Sequence, residues 1–311
     1  MSVKLEGNIL VTGTNRGIGL ELVRQLAETT GEQAHIYACC RAPEGPRAEA
    51  LRDLTTQYPG KITIIKLDMS DEDSISAAVQ AVSKQIGAGG LNLLINNAAV
   101  TKPGIPGPLS ATGKKDMMEV YETNVVGPFL IAKMFLPLLK RAAEMDSPEK
   151  DQDDKMSCIR SAIINISTII SSIEKVPETF SKAQMYPYRA SKAALNMLTR
   201  CQAEDFKSYN ILVTAIHPGW VRTEMGGEEA PMTAKESAES LVSLMSSLSN
   251  KDGGMLLDWE GVRIPWKKTA GSWVKVIWWI HPPPTPPWTE DSELLCICFG
   301  HNKGLNSIQT L

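Results

Sequence analysis

Histidine is scarce in this chain. The four present, His35, His217, His281 and His301, never stand at ligand spacing from one another. That spacing argues against a protein-bound metal. An excess of charge of one sign is missing too: 32 basic and 35 acidic residues leave a formal net charge of −3. Nothing in that balance points to nucleic acid. Long hydrophobic runs are absent. The late apolar stretch 273–280 is broken by Lys275 and is far shorter than the roughly 20 residues of a membrane helix. The polar opening, residues 1–7, leads straight into an apolar run at Asn8, unlike a secretory signal. The six cysteines follow no disulfide framework: Cys39 and Cys40 are adjacent, Cys158 and Cys201 stand apart, and Cys296 and Cys298 come near the end. These absences lead us to expect a cytoplasmic protein in a reducing compartment, with no nucleic-acid or membrane partner.

What the chain does have is apolar material, 43% of its residues. Short apolar runs alternate with longer helical patterns. The runs Asn8–Thr12, His35–Cys40, 62–67, 93–95, Ala162–Ile166, 211–216 and 255–257 read as strands. Helical periodicity covers Gly17–Thr29, 71–86, 115–143, 187–208 and 233–248, the last opened by a Thr233–Glu236 capping box. Continuous apolar strands separated by helices imply a parallel sheet buried on both faces. The expected fold is α/β: a single doubly wound, Rossmann-like sheet with helices on both faces, spanning residues 1–266. The polar segment 146–155 should be an exposed loop. Residues 267–311 hold four of the seven tryptophans and a proline tract at 282–287. They read as a poorly ordered extension.

The first strand ends in Thr12-Gly-Thr-Asn-Arg-Gly-Ile-Gly19. Gly13, Gly17 and Gly19, with Asn15, Arg16 and Ile18 between them, lie where a strand meets a helix. Glycine there lets the backbone approach a pyrophosphate, and the helix start offers unpaired N–H groups. A lone glycine turn can also bind nothing; its place in the first βα unit favours a dinucleotide. After the second strand an acid would select NAD. The chain instead reads Cys39-Cys-Arg41. Arg41, joined by Arg16, suits a 2′-phosphate through its planar donors, which favours NADP; the alternative is two solvated arginines.

Tyr188 and Lys192 stand four residues apart, on one face of a helix. A nearby ammonium should lower the phenol's pKa from about 10 and make it a useful acid–base. Alone, the pair also fits a half-buried tyrosine beside a snorkelling lysine. Together with the glycine turn it is specific.

These motifs resemble the short-chain dehydrogenase/reductase family over residues 6 to 266. They run in order: Thr12 to Gly19, Leu67-Asp68, Asn96-Asn-Ala-Ala99, Asn124, Tyr188 with Lys192, and Pro218-Gly219. YRASKAALN from Tyr188 and HPGWVRTEMGG from His217 look like the sniffer and C-factor carbonyl reductases of that family.

The resemblance implies NADPH as cofactor and a small-molecule carbonyl substrate. It implies that Asp68 and Met69 lie at the adenine and that Asn96 to Ala98 support the adenosine ribose. Lys192 would hold the nicotinamide ribose. Pro218 and Gly219 would also bind the cofactor, and the backbone near Val221 with the Thr223 hydroxyl would grip the nicotinamide carboxamide. Asn124 would interrupt its helix and hold a water of the proton relay, and Tyr188 would protonate the carbonyl oxygen. A homodimer through the family's long fourth and fifth helices is also implied. Two residues depart from the pattern: Ala99 replaces a glycine, and Thr168 stands where the family has its catalytic serine. Threonine keeps the hydroxyl but adds a methyl and stiffens χ1. Ser167 and Ser172 are possible substitutes. Thr168 and Ala99 motivate a second reading, a cofactor-binding regulatory protein with weak turnover. A third is an alcohol or steroid dehydrogenase, against which the missing acid after the second strand argues.

Overall fold

The computed structural model describes residues 4–145 and 156–266. The polar segment 146–155 and the extension 267–311 lie outside them. Seven parallel strands form one sheet in the order β3-β2-β1-β4-β5-β6-β7. They are β1 (Asn8–Thr12), β2 (His35–Cys40), β3 (Ile62–Lys66), β4 (Leu93–Asn96), β5 (Ala162–Ile166), β6 (Leu212–Ile216) and β7 (Leu256–Leu257). The helices are α1 (Gly17–Thr29), α2 (Glu49–Gln57), α3 (Glu72–Ile86), α4 (Lys114–Tyr121), α5 (Gly127–Glu144), α6 (Val176–Thr179), α7 (Tyr186–Asp205) and α8 (Ala234–Met245). The expected doubly wound sheet is what the chain forms.

The sheet explains why its strands read as unbroken apolar runs. Alternate residues serve opposite faces, and both faces are covered. Ile9 and Val11 of β1 pack with Leu22 and Leu26 of α1 and Leu241 of α8. Leu10, between them, packs with Ile75 of α3 and Phe135 of α5. Burying one such leucine contributes about 2 kcal/mol. Strand order reverses between β2-β1 and β4-β5. A crevice therefore opens beyond the carboxyl ends of β1 and β4, where open α/β sheets take their ligands.

Three elements differ from the sequence expectation. The helix expected over 115–143 is interrupted: a π-turn, Glu122–Val126, separates α4 from α5. Pro128 has no N–H to continue the ladder, and the Gly127 N–H reaches back to the Glu122 carbonyl. The interruption expected at Asn124 is therefore present. Second, α2 was not anticipated. Its apolar stripe is short, with Leu51 and Leu54 buried at i, i+3 spacing behind Pro46 and Glu49. Third, the connection from β5 to α7 holds a 3-10 turn, Ile169–Ser171, and the short α6. The Thr233–Glu236 capping box forms as expected, and α8 ends at Met245 rather than at 248. Among the described residues no helix is long and apolar enough to cross a membrane.

Candidate active site

The glycine turn is held to the sheet by side chains around it. The Thr14 backbone N–H and hydroxyl both donate to the Cys39 carbonyl, each at 3.1 Å. The Asn97 side chain donates to the Thr12 and Gly13 carbonyls at 2.9 and 3.1 Å. The Thr12 hydroxyl accepts from the Asn97 and Ala98 N–H groups. Gly17 sits at φ +56°, in the left-handed region. A Cβ on Gly19 would lie 2.1 Å from the Gly13 carbonyl oxygen, so only glycine lets α1 start this close to the turn. Arg16 gives α1 no side-chain cap, and the first turn carries no acid. The N–H groups of Gly17, Ile18 and Gly19 have no intrahelical acceptor.

A cleft of about 390 Å³ opens over this turn. Of the residues expected at the cofactor, Gly13, Asn15, Arg16, Gly17, Ile18, Gly19, Arg41, Asp68, Met69, Ala98, Pro218 and Thr223 line it. Tyr188 and Lys192 line it as well, so one cavity joins the phosphate-type turn to the candidate proton donor. Arg41 is exposed at the end of β2. Arg16 Nε pairs with Glu224 at 3.3 Å, and Arg47 pairs with the same carboxylate at 3.6 Å.

Five expected residues stand outside that lining. Asn96 is buried between strands: its amide donates to Asn165 Oδ1 at 2.8 Å, and Asn165 donates to Thr199. Gly219 and Val221 both neighbour Met232. Gly219 has φ +90° against Met232, and Val221 forms a β-bridge with Met232. Asn124 is fully buried. Its side chain accepts from Val100 N–H and donates to the Val100 carbonyl, both at 2.9 Å, and donates to the Ser191 hydroxyl at 3.1 Å. Ser191 in turn donates to the Tyr188 carbonyl at 2.8 Å. Thr168 caps the 3-10 turn, its hydroxyl accepting from Ile170 N–H at 3.4 Å. The neighbouring Ser167 does line the cleft, and its hydroxyl donates to Asn196 Oδ1 at 2.6 Å.

Tyr188 occupies the first turn of α7, half-buried, and Lys192 follows one turn later, 1% exposed. Lys192 Nζ donates to the Ile166 carbonyl at 2.6 Å and lies 5.8 Å from the centre of the Tyr188 ring. Burial pushes the phenol up to about 12 and the ammonium down to about 7. This corrects the expectation that Lys192 would lower the tyrosine's pKa. Desolvation disfavours both charged forms, and at Tyr188 it is what sets the direction of the shift. At neutral pH the phenol is a protonated acid.

The sequence of residues 7–234 matches the profile of the family described as short chain dehydrogenase. The chain belongs to the short-chain dehydrogenase family. Over 259 residues it is 32% identical to the short-chain dehydrogenase anuI of Penicillium roqueforti, covering 82% of this chain and 95% of that protein. Among solved structures it is similar to the NADPH-bound carbonyl reductase from chicken fatty liver. That likeness has 40% identity and a TM-score of 0.78, with 85% and 96% of the two chains covered. The carbonyl reductase Sniffer of D. melanogaster is 33% identical, with a TM-score of 0.76 and 84% and 100% covered.

Within this short-chain dehydrogenase, sequence reasoning passed over Asn97 as a clamp on the glycine turn. It also passed over Arg222 as cleft lining, whereas Glu224 and Met225, which line the cleft, belong to the segment 224–231 expected to close over the pocket. Asn97 was legible, since an asparagine directly after a buried strand can satisfy the carbonyls of a neighbouring turn. The ion pairs of Glu224 with Arg16 and Arg47 carried no local signal, since these partners lie far away in the chain.

Proposed function

We propose that this chain is a cytoplasmic, NADPH-dependent carbonyl reductase acting on aldehydes, ketones or quinones. The observation that carries the reading is the single cleft lined both by the glycine turn and by Tyr188 and Lys192. The uncapped start of α1 and the close approach at Gly19 fit a dinucleotide diphosphate. Arg41, where an acid would select NAD, fits a 2′-phosphate. The free, buried thiols of Cys39, Cys40 and Cys158 accord with a reducing compartment. NADPH, when bound, supplies a hydride to the carbonyl carbon. Tyr188, protonated at neutral pH, gives its proton to the carbonyl oxygen. Lys192 is anchored by the Ile166 carbonyl and would hold the nicotinamide ribose. Asn124 fixes the π-turn through Val100 and Ser191. A hydroxyl from Thr168 or Ser167 orients the substrate oxygen.

The test is NADPH oxidation with a panel of aldehydes, diketones and quinones, comparing wild type with Tyr188→Phe. Turnover that survives the substitution sinks Tyr188 as proton donor. One observation favours the second reading, a cofactor-binding regulator with weak turnover: Thr168 caps a turn rather than lining the cleft. Wild-type NADPH binding with no turnover across that panel would support it. We further propose a homodimer. Met118 and Tyr121 on α4, Phe129 on α5 and Met197 on α7 expose apolar side chains that a second copy would cover. A monomeric mass in sedimentation at micromolar concentration would overturn this.

A further inference from the structure

The residue after the candidate proton donor does something the reaction scheme leaves unused. Arg189 is 8% exposed, and its guanidinium meets no carboxylate within hydrogen-bonding reach among the described residues. Its acceptors all lie in the connection between β5 and α7. Nη1 donates to the Ile170 carbonyl at 2.9 Å and to the Thr179 hydroxyl at 3.1 Å. Nη2 donates to the Thr179 carbonyl at 2.8 Å, and Nε donates to the Ala183 carbonyl at 2.8 Å. The face of Phe180 lies 5.5 Å from the guanidinium carbon, and Phe180 meets Tyr186 edge-on at 5.4 Å. One side chain thus ties three separated points of the segment 169–185 to the first turns of α7.

A connection that long, with so little regular structure, is costly to hold in one conformation. Both of its ends border the reacting centre. Ser167 and Thr168 precede it, and Tyr188 follows it. Ile170, whose carbonyl Arg189 holds, is also the residue whose N–H the Thr168 hydroxyl accepts. Ser171 donates to the Thr168 carbonyl. Asn196 with Ser167 and Ser171, and Lys192 with Ile166, already tie the hydroxyl turn to α7; Arg189 is the tie that reaches the far part of the segment, at Thr179 and Ala183. A planar fork of donors can serve three carbonyls and a hydroxyl at once, which an ammonium cannot do in fixed directions.

We propose that Arg189 is a positioning residue that clasps segment 169–185 to the first turns of α7, holding that segment as one wall of the carbonyl site. The inference rests on the carbonyl-reductase reading. Its test compares wild type, Arg189→Lys and Thr179→Val in NADPH oxidation with nitrobenzaldehyde and phenanthrenequinone, alongside NADPH binding by fluorescence. Arg189→Lys should raise KM for both carbonyls about tenfold, leaving kcat within about threefold and NADPH Kd within about twofold. Thr179→Val removes one acceptor and should shift KM the same way by about threefold, and it carries the test if the lysine variant does not fold. A lowered melting temperature with both KM values unchanged would assign Arg189 to the fold alone and overturn the proposal. Wild type that binds NADPH but turns over neither carbonyl refutes the reductase reading itself, and the inference with it.

Discussion

The two halves of the cleft are built differently. The side formed by β1, β2 and β4 is made of backbone. Gly13, Gly17 and Gly19 shape it, and Asn97 and Thr14 hold its carbonyls. The side formed by β5, α7 and the following strands is made of side chains that reach across long stretches of chain. Lys192 meets Ile166, Ser167 meets Asn196, and Arg189 meets Ile170 and Thr179. A backbone cradle works as long as its glycines remain. A side-chain site depends on each partner being in place. Proton donation by Tyr188 and phosphate binding at the glycine turn should therefore separate under mutation, with Lys192, the proposed ribose partner, shared between them.

The largest expected effect lies on the side-chain half. Tyr188→Phe removes only the hydroxyl, and none of the bonds that hold the glycine turn involves Tyr188. NADPH-dependent carbonyl reduction should fall by about 10³-fold, while NADPH affinity stays within about twofold. Stopped-flow reduction paired with fluorescence titration checks both. A parallel loss of affinity would mean that the halves are not separable. On the backbone half, Arg41→Ala should weaken NADPH binding by about 10- to 100-fold, since charge-assisted hydrogen bonds to a phosphate are lost. NADH binding should be almost unchanged. Equal loss for both dinucleotides would place Arg41 away from the 2′-phosphate.

Lysine 192 sharpens the comparison through pH. Burial lowers its pKa in the fold to about 7, from 10.5 when unfolded. Between those values the unfolded state binds the additional proton, so raising the pH stabilises the fold. Below about pH 7 both states carry the charge, and the folded state bears its full burial cost. Lys192→Met should therefore stabilise the cofactor-free protein below pH 7, by about 1 kcal/mol or more after loss of the bond to Ile166. That gain should shrink as pH rises towards 10. Urea unfolding at pH 6 and pH 9 measures it, and a gain that grows with pH would contradict the buried, neutralised lysine.

The same division governs what is legible in the sequence. Strands β1, β2 and β5 can be read residue for residue, because burial on both faces writes an unbroken apolar run. The glycine turn is equally plain, since strand, glycines and helix are contiguous. Tyr188 and Lys192 are legible as a pair because a helix brings i and i+4 together. Helix α2 is obscured by its shortness, with only Leu51 and Leu54 to mark it. The contacts of Glu224 with Arg16 and Arg47, and of Arg189 with Thr179, join residues with no shared periodicity, and only the fold brings them together. The pKa shifts at Tyr188 and Lys192 were misread for a related reason. Spacing reveals the neighbouring charge, but burial decides which form survives.

The smallest effect belongs to the methyl group of Thr168. Thr168 stands where the family pattern has serine, yet its hydroxyl caps the turn at Ile170 and lies outside the cleft lining. Ser167 lines the cleft, but its hydroxyl donates to Asn196. Thr168→Ser keeps the cap and removes a methyl, so it should change kcat by less than about threefold. Thr168→Val keeps the shape and removes the hydroxyl. If Thr168 turns its hydroxyl to the carbonyl during reaction, the valine variant should lose about 10²-fold in kcat, and Ser167→Ala should lose far less. The reverse ranking would make Ser167 the working hydroxyl. It would also mean that this half of the site has moved its donor one residue along the chain, while the backbone half kept its pattern. Single-turnover rates at saturating NADPH separate the two, because neither substitution touches the glycine turn.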